Sequence, residues 1–221
     1  MRHAALVLLA VVAVGCTSDQ VHESALYKEI SLPPGKLEQH GIGFITPSTV
    51  TGLEQDTQNL AFIFAKVLRE ERPDIRVVSL PETLSAVNRA GIADEYKGMY
   101  TDYRDTGIFK RESLRRIGEV TGVRYLVQLK LSSFGQQSRG RFSLLGLRLF
   151  QTKEASVRLF LQIWDSQAGT IVWEGSEELN YAWDTSREKP VTFRLVVEEV
   201  ARNLIGKLPR ADANAEAADA G

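Results

Sequence analysis

The chain has 221 residues, a formal net charge of −1 and a single cysteine. The balanced charge gives no basic footprint of the kind that nucleic-acid-binding proteins usually carry, and one cysteine cannot form an intramolecular disulfide. Hydrophobic residues make up 43% of the chain, which is enough for the core of one domain.

The N-terminus, MRHAALVLLAVVAVGC, has the pattern of an export signal. A short basic start precedes an apolar run at residues 4–14. This run is shorter than the ~20 residues that a membrane-spanning helix needs, and its length is typical of a signal-peptide core. We therefore interpret residues 1–15 as a signal peptide.

The end of this signal, AVGC at residues 13–16, resembles the lipobox of bacterial lipoproteins. The resemblance implies that Cys16 carries the lipid, including palmitate, and becomes the mature N-terminus. The alternative is an ordinary secretory signal with an incidental cysteine. In bacterial lipoproteins a residue other than Asp after the cysteine, here Thr17, implies passage to the outer membrane, where the domain would face the periplasm.

The chain ends differ in composition from the part between them. Residues 16–40 are polar and contain Pro33-Pro34-Gly35, so we predict a lipidated tether there. Residues 209–221 are rich in alanine and acidic residues, and we predict a disordered tail. Residues 41–208 remain as one predicted α/β domain.

The first half of this domain alternates between strand and helix patterns. Residues 41–47 form a short apolar strand that ends at a proline, and residues 51–69 have apolar positions at helical spacing. Residues 75–79 predict a second strand. Ser79 and Glu82 have the spacing of a capping box, which predicts that the next helix begins there.

Three tyrosines follow at helical spacing: Tyr96, Tyr100 and Tyr103. They line one face of a predicted helix. Such a stripe indicates either a helix packed on the core or a weaker aromatic patch for a ligand or partner. A further helix face ends at Gly122, a typical C-terminal glycine.

The second half has the two-residue period of strands. Residues 123–131 and 156–164 alternate apolar and polar positions, and DSQAG at residues 165–169 predicts a hairpin turn into a third long strand. Pro190 opens a final helix. We predict an α+β fold, similar to an α/β sandwich, with a mixed sheet of about five strands in the order β-α-β-α-α-α-β-β-β-α.

Residues 139–151, RGRFSLLGLRLFQ, interrupt the strands with large apolar residues among arginines. The alternation around Gly146 favours one short strand-like insertion over a helix. It is either an edge strand covering the core or an exposed surface that contacts a partner or an anionic membrane. The residues of this candidate contact surface are Phe142, Leu144, Leu145, Leu147, Arg148 and Leu149.

Three segments resemble CsgG-like and TolB-N-like periplasmic proteins: GIGFITPSTVTGLEQDTQNLAFIFAKVL, TGVRYLVQLKL and RLFLQIWDSQAGTIVWEGS. The group includes the curli-secretion channel lipoprotein and a lipoprotein activator of a penicillin-binding protein. The resemblance implies a non-enzymatic role in channel formation, wall-synthase activation or envelope assembly. It provides no catalytic residues to transfer to this chain.

The residues themselves give little support to catalysis. The histidines, His3, His22 and His40, lie in the signal, in the predicted tether and next to the first predicted strand, so neither a His/Cys metal site nor a Ser-His-Asp triad is expected. No cofactor is expected. The acidic groups around residues 94–105 and 174–178 fit a solvated face better than paired catalytic acids.

We therefore expect a non-enzymatic, lipid-anchored cell-envelope protein that acts through protein–protein contacts. Its partners would be the membrane, through Cys16, and an envelope protein of unknown identity; assembly with copies of itself is left open. An oligomeric outer-membrane secretion channel ranks second, because a single short insertion is too small for the wall of a pore. A glycan-acting enzyme ranks third.

Overall fold

The computed structural model describes residues 20–50, 53–144, 147–185 and 192–211, and the side chains of residues 25–50, 53–135, 156–180 and 192–211. The strands are β1 Gln20–Glu29, β2 Ile42–Phe44, β3 Ser48–Thr49, β4 Val77–Val78, β5 Tyr125–Leu144, β6 Leu147–Asp165 and β7 Thr170–Thr185. The helices are α1 Lys36–His40, α2 Glu54–Glu71, α3 Leu80–Arg89, α4 Ala93–Thr106, α5 Arg111–Thr121 and α6 Phe193–Gly206.

The strands form one mixed sheet in the order β1-β7-β6-β5-β2-β4, and β3 pairs with β5. β2 runs parallel to β4 and β5, whereas β5, β6, β7 and β1 are antiparallel neighbours. The predicted α+β class with a mixed sheet is therefore confirmed. Among the described residues the sheet has seven strands instead of the predicted five or so.

The additional strands have a physical explanation. β1 and α1 lie within residues 16–40, which were predicted as a tether, so the sheet includes residues before the predicted domain start at residue 41. Every described side chain of β1, from Ala25 to Glu29, is exposed, so this part of the strand has no buried face to give a two-residue period. β3 has only two residues and is too short to show a pattern.

Helices pack on both faces of the sheet. On one face, α2 and α6 bury apolar side chains against β5, β6 and β7 in the larger core cluster, which includes Leu60, Phe64, Leu129, Leu159, Trp173, Val197 and Leu204. On the other face, α3, α4 and α5 form a smaller cluster around Phe109, Leu114, Ile117, Leu126 and Trp164. None of the helices among the described residues is long and apolar enough to cross a membrane.

The predicted start of α3 is confirmed. The Glu82 carboxylate accepts hydrogen bonds from the backbone N–H of Ser79, at 2.6 Å, and from its hydroxyl. These bonds hold the pKa of Glu82 below its ordinary value. The capping box thus fixes where α3 begins after β4.

A buried arginine joins three distant parts of the chain. Arg72 is 1% exposed, and its guanidinium contacts Glu38 of α1 at 2.5 Å and Asp74 at 2.9 Å. It also donates to the carbonyl of Pro209, beyond α6. The hydrogen bonds from Arg72 hold the pKa of Asp74 below its ordinary value. This contact connects α1, the end of α2 and the C-terminal stretch.

We expect Arg72→Met to lower the free energy of unfolding by about 3 kcal/mol, because it leaves Glu38 and Asp74 without their shared cation. The matched control is Arg69→Met. Its partner Glu82 and Arg69 itself are both about half exposed, so that loss is expected to stay below about 1 kcal/mol. Urea unfolding of both variants measures the difference; equal losses would contradict a structural role for Arg72.

Candidate contact surfaces

The predicted contact loop, residues 139–151, is the end of a long β-hairpin. β5 and β6 remain paired beyond the core up to Leu144 and Leu147. The prediction of one strand through residues 145–149 is therefore wrong, because the chain reverses between these two paired residues. Leu145 and Gly146 lie outside the described residues; a two-residue connection containing glycine is typical of hairpins.

We call residues 136–144 and 147–155 the distal hairpin. β7 runs beside it only as far as the pair Gln151–Thr185. Past that point, the described strand pairs join the two arms only to each other, ending with Phe142–Phe150, Ser143–Arg148 and Leu144–Leu147. Side chains in the distal hairpin lie outside the described residues, so the contact surface stays a prediction.

The base of the distal hairpin is fixed to the core. Phe134 of β5 packs edge-to-face against Phe193 of α6, with ring centroids 5.1 Å apart. The Thr192 hydroxyl caps α6 by accepting from the backbone N–H of Leu195. The long arms therefore start from a packed aromatic contact.

The three tyrosines lie between α4 and the smaller core cluster. Tyr96 is buried, and its hydroxyl bonds to Thr46 at 3.0 Å and to the Tyr100 hydroxyl at 3.2 Å. Burial raises the pKa of Tyr96 and of Tyr100. Tyr103 stacks on Phe109 with centroids 4.1 Å apart. Core packing accounts for these contacts, and Tyr103 also lines a pocket.

That pocket is a small polar depression on the sheet face beside α4, of about 220 Å³. The Tyr103 hydroxyl donates to Gln162, whose amide donates to Glu174 at 2.9 Å. Gln128 is buried beneath, and its Oε1 has no hydrogen-bond partner among the described residues. No local sequence pattern predicts this pocket, because its residues come from four separate elements.

β1 forms one edge of the sheet. Its register with β7 runs without a shift from Gln20–Ala182 to Glu29–Trp173, and no described strand pairs with its outer side. Leu26 and Tyr27 are 72% and 56% exposed, and Ile30 just after the strand is half exposed. Proteins usually protect long edge strands with prolines, bulges or charged side chains. This edge carries the charged Lys28 and Glu29 but no proline or bulge, and Leu26 and Tyr27 add exposed apolar surface to it.

A second depression, of about 610 Å³, lies at the opposite end of the sheet from the distal hairpin. Four arginines line it: Arg76, Arg111, Arg115 and Arg124. Arg76 donates to the carbonyls of Thr121 and Gly122 at the end of α5, and Arg111 donates to the carbonyl of Gln167. Arg76 thus stabilises the end of α5, and Arg111 connects the start of α5 to the turn between β6 and β7.

Asp165 stabilises the turn between β6 and β7. Its carboxylate accepts from Arg124 at 2.6 Å and from the backbone N–H groups of Gln167 and Ala168. Burial alone would raise the pKa of Asp165, but these hydrogen bonds outweigh it and hold the pKa below its ordinary value. The predicted hairpin turn is therefore confirmed, and a charged carboxylate stabilises it.

Three of the acidic groups that the sequence offered as alternatives for acid–base chemistry are paired with a cation or an amide. Asp102 pairs with Lys110 at 2.9 Å, and Glu178 pairs with Arg158. Glu177 is buried and accepts from Asn203 at 2.7 Å. Within the described part of the chain, no three His, Cys, Asp or Glu side chains are grouped as a metal site would require.

No protein-family model matches the chain, and no curated protein matches it by sequence. Similar solved structures include a PelC dodecamer from Paraburkholderia phytofirmans, with 11% identity, a TM-score of 0.47 and coverage of 86% of this chain and 98% of that one. Lipoprotein GNA1162 from Neisseria meningitidis has 9% identity, a TM-score of 0.38 and coverage of 76% and 99%.

The LpoB C-terminal domain from Salmonella enterica has 15% identity, a TM-score of 0.34 and coverage of 63% of this chain and 82% of that one. These neighbours include bacterial lipoproteins. Because all three TM-scores are below 0.5, the likenesses fix neither a family nor a function. The resemblance to CsgG-like and TolB-N-like proteins therefore stays a prediction.

We expect Asp165→Asn to destabilise the fold by about 1–3 kcal/mol at neutral pH, because a charged acceptor is lost beside Arg124. A carboxyl with a lowered folded-state pKa contributes stability above its unfolded pKa and loses it as the pH falls through the folded value. The difference between wild type and variant in urea unfolding should therefore shrink below about pH 4. A difference that stays constant down to acid pH would contradict this role.

Proposed function

We propose that this chain is a non-enzymatic, lipid-anchored protein of the bacterial cell envelope that acts by binding other proteins. The export signal and the position of Cys16 support the anchor. β1 begins at Gln20, only four residues after Cys16, so the folded domain would lie close to the membrane that holds the lipid. The outer membrane, with the domain facing the periplasm, is the location that Thr17 favours.

The observation that carries the binding role is the free edge of β1. An exposed, regular edge offers unpaired backbone N–H and C=O groups to an extended segment of a partner. Leu26 and Tyr27 add apolar contact area on opposite faces of the same strand. We propose that a protein partner adds a strand there, beginning next to the membrane.

The proposal that the chain acts without catalysis has two supports. The acidic side chains described above are paired with cations or an amide instead of with each other, so they do not form a general acid–base pair. In the arginine-lined depression, Arg76 and Arg111 donate hydrogen bonds to backbone carbonyls, and Arg124 pairs with Asp165. Three of the four lining arginines thus have a structural use.

A subunit of an oligomeric secretion channel is the second candidate, and one observation favours it. A single short insertion would be too small for the wall of a pore. The distal hairpin instead has two paired arms, so this objection to a channel no longer holds. Membrane-crossing strands, however, alternate apolar and polar residues over ~9–11 positions. Residues 136–141 and 151–155 are almost entirely polar or glycine, so we keep this candidate second.

The anchor predicts that wild-type protein incorporates labelled palmitate in a bacterial host and that Cys16→Ala does not. Cys16 is the only cysteine, so the variant removes every thiol that could be acylated. Immunoblots that show equal amounts of the two proteins provide the control. Equal labelling of the two proteins would refute the anchor.

The binding role predicts site-specific crosslinks from β1. A photo-crosslinking amino acid in place of Leu26 should give a discrete adduct of higher mass in intact cells. The same amino acid in place of Leu84, which is 41% exposed on α3, is the matched control. Adducts of equal yield at both positions, or none at Leu26, would count against strand addition at this edge.

A further inference from the structure

The sheet register places the start of β1 and the distal hairpin at the same end of the domain. Gln20 is level with Ala182 of β7, Ala182 with Glu154 of β6, and Glu154 with Gln137 of β5. β1 runs away from this end. A lipid on Cys16 would therefore be attached on the side of the domain from which the distal hairpin projects.

The hairpin is longer than the link to the lipid. From the level of Gln20, β6 continues for seven residues from Glu154 to Leu147, which is ~23 Å at the rise of a β-strand. Gln20 is four Cα–Cα steps from Cys16, and these steps span at most ~14 Å when the chain is fully extended. With the strands directed at the membrane, the end of the hairpin passes the anchored cysteine by roughly 9 Å.

The residue types along the projecting strands are ones that suit a membrane surface. Tyr181 and Trp183 of β7 lie on either side of the Gln20 level, and these residue types are enriched at membrane–water interfaces. Residues 136–155 contain four basic residues and one acidic residue, which suits an anionic surface. The apolar residues occupy the last register positions: Phe142, Phe150, Leu144 and Leu147, with Leu149 between them.

We propose that the end of the distal hairpin inserts into the lipid leaflet that holds the Cys16 anchor and forms a second membrane contact. This inference rests on the proposed lipid anchor. The apolar end extends only three residues from Phe150 to Leu147, or ~10 Å, against a hydrocarbon core of ~30 Å. Arg148 lies within it. The hairpin therefore dips into one leaflet and does not cross the bilayer.

Two contacts would fix the orientation of the domain. A single lipidated terminus lets the domain rotate about its link, whereas an inserted hairpin holds the strands upright on the membrane. The free edge of β1 would then stand along the membrane normal, and the arginine-lined depression would point away from the lipid, because it lies at the other end of β5 and β6.

The test uses full-length, lipidated protein in vesicles of phosphatidylethanolamine and phosphatidylglycerol. Lipidation blocks Cys16, so a cysteine introduced by Leu147→Cys is the sole free thiol for an environment-sensitive fluorophore. The matched control is Ala168→Cys, an exposed position in the turn at the opposite end of β6. We expect a blue-shifted emission and quenching by nitroxide-labelled lipids at position 147, and neither effect at position 168.

Two outcomes would overturn the inference. One is a label at position 147 that aqueous iodide quenches as strongly as the label at position 168. The other is a shifted emission without quenching by nitroxide lipids, together with crosslinks to a second copy, which would make the hairpin a protein interface. Palmitate incorporation is measured on the same samples. If palmitate is not incorporated, the anchor is refuted. If palmitate is incorporated and one of the two outcomes above is observed, only the hairpin contact is refuted.

A pair of variants checks that insertion depends on the apolar residues. Leu149→Asp combined with Phe150→Asp should abolish lipid quenching of a label at position 147 while palmitate incorporation remains. These positions lie beyond the packed contact of Phe134 with Phe193, so the unfolding temperature should stay at the wild-type value. Undiminished lipid quenching in this folded variant would overturn the inference.

Discussion

The antiparallel pairing of β1 with β7 is the constraint on which the rest of this account depends. Ten consecutive residue pairs without a shift fix both the direction of β1 and its level against the distal hairpin. Because the link from β1 to Cys16 is short, the same pairing decides which end of the domain faces the lipid. If β1 ran parallel to β7, Cys16 would lie at the end of the sheet opposite the distal hairpin.

Packed and ion-paired contacts hold this geometry at both ends. Arg72 connects α1, α2 and the C-terminal stretch, which holds the segment after β1 against the body of the domain. Phe134 and Phe193 fix the base of the distal hairpin to α6. A contact surface at the end of a long hairpin can bind with a defined orientation only when its base is held in this way.

The sequence predicted the elements that bury one face and missed those that do not. The periods of α2, β5 and β6, the capping box at Ser79 and the turn at Asp165 all come from local patterns. β1 has exposed residues on both sides and therefore no such pattern. The sequence predicts one strand where the structure has the distal hairpin. The alternation of apolar residues around Gly146 is the same whether the chain continues or reverses there. The pocket beside Tyr103 depends on long-range pairing that no local pattern encodes.

Depth in the membrane should increase along β6 toward the end of the distal hairpin, and spin labels test this most directly. Spin labels would be placed in turn at Lys153, Gln151, Leu149 and Leu147 of the lipidated protein in vesicles. Power-saturation measurements should then show accessibility to oxygen rising, and accessibility to a water-soluble nickel complex falling, toward Leu147. A flat profile, with all four positions as accessible to the nickel complex as Ala168, would contradict the account.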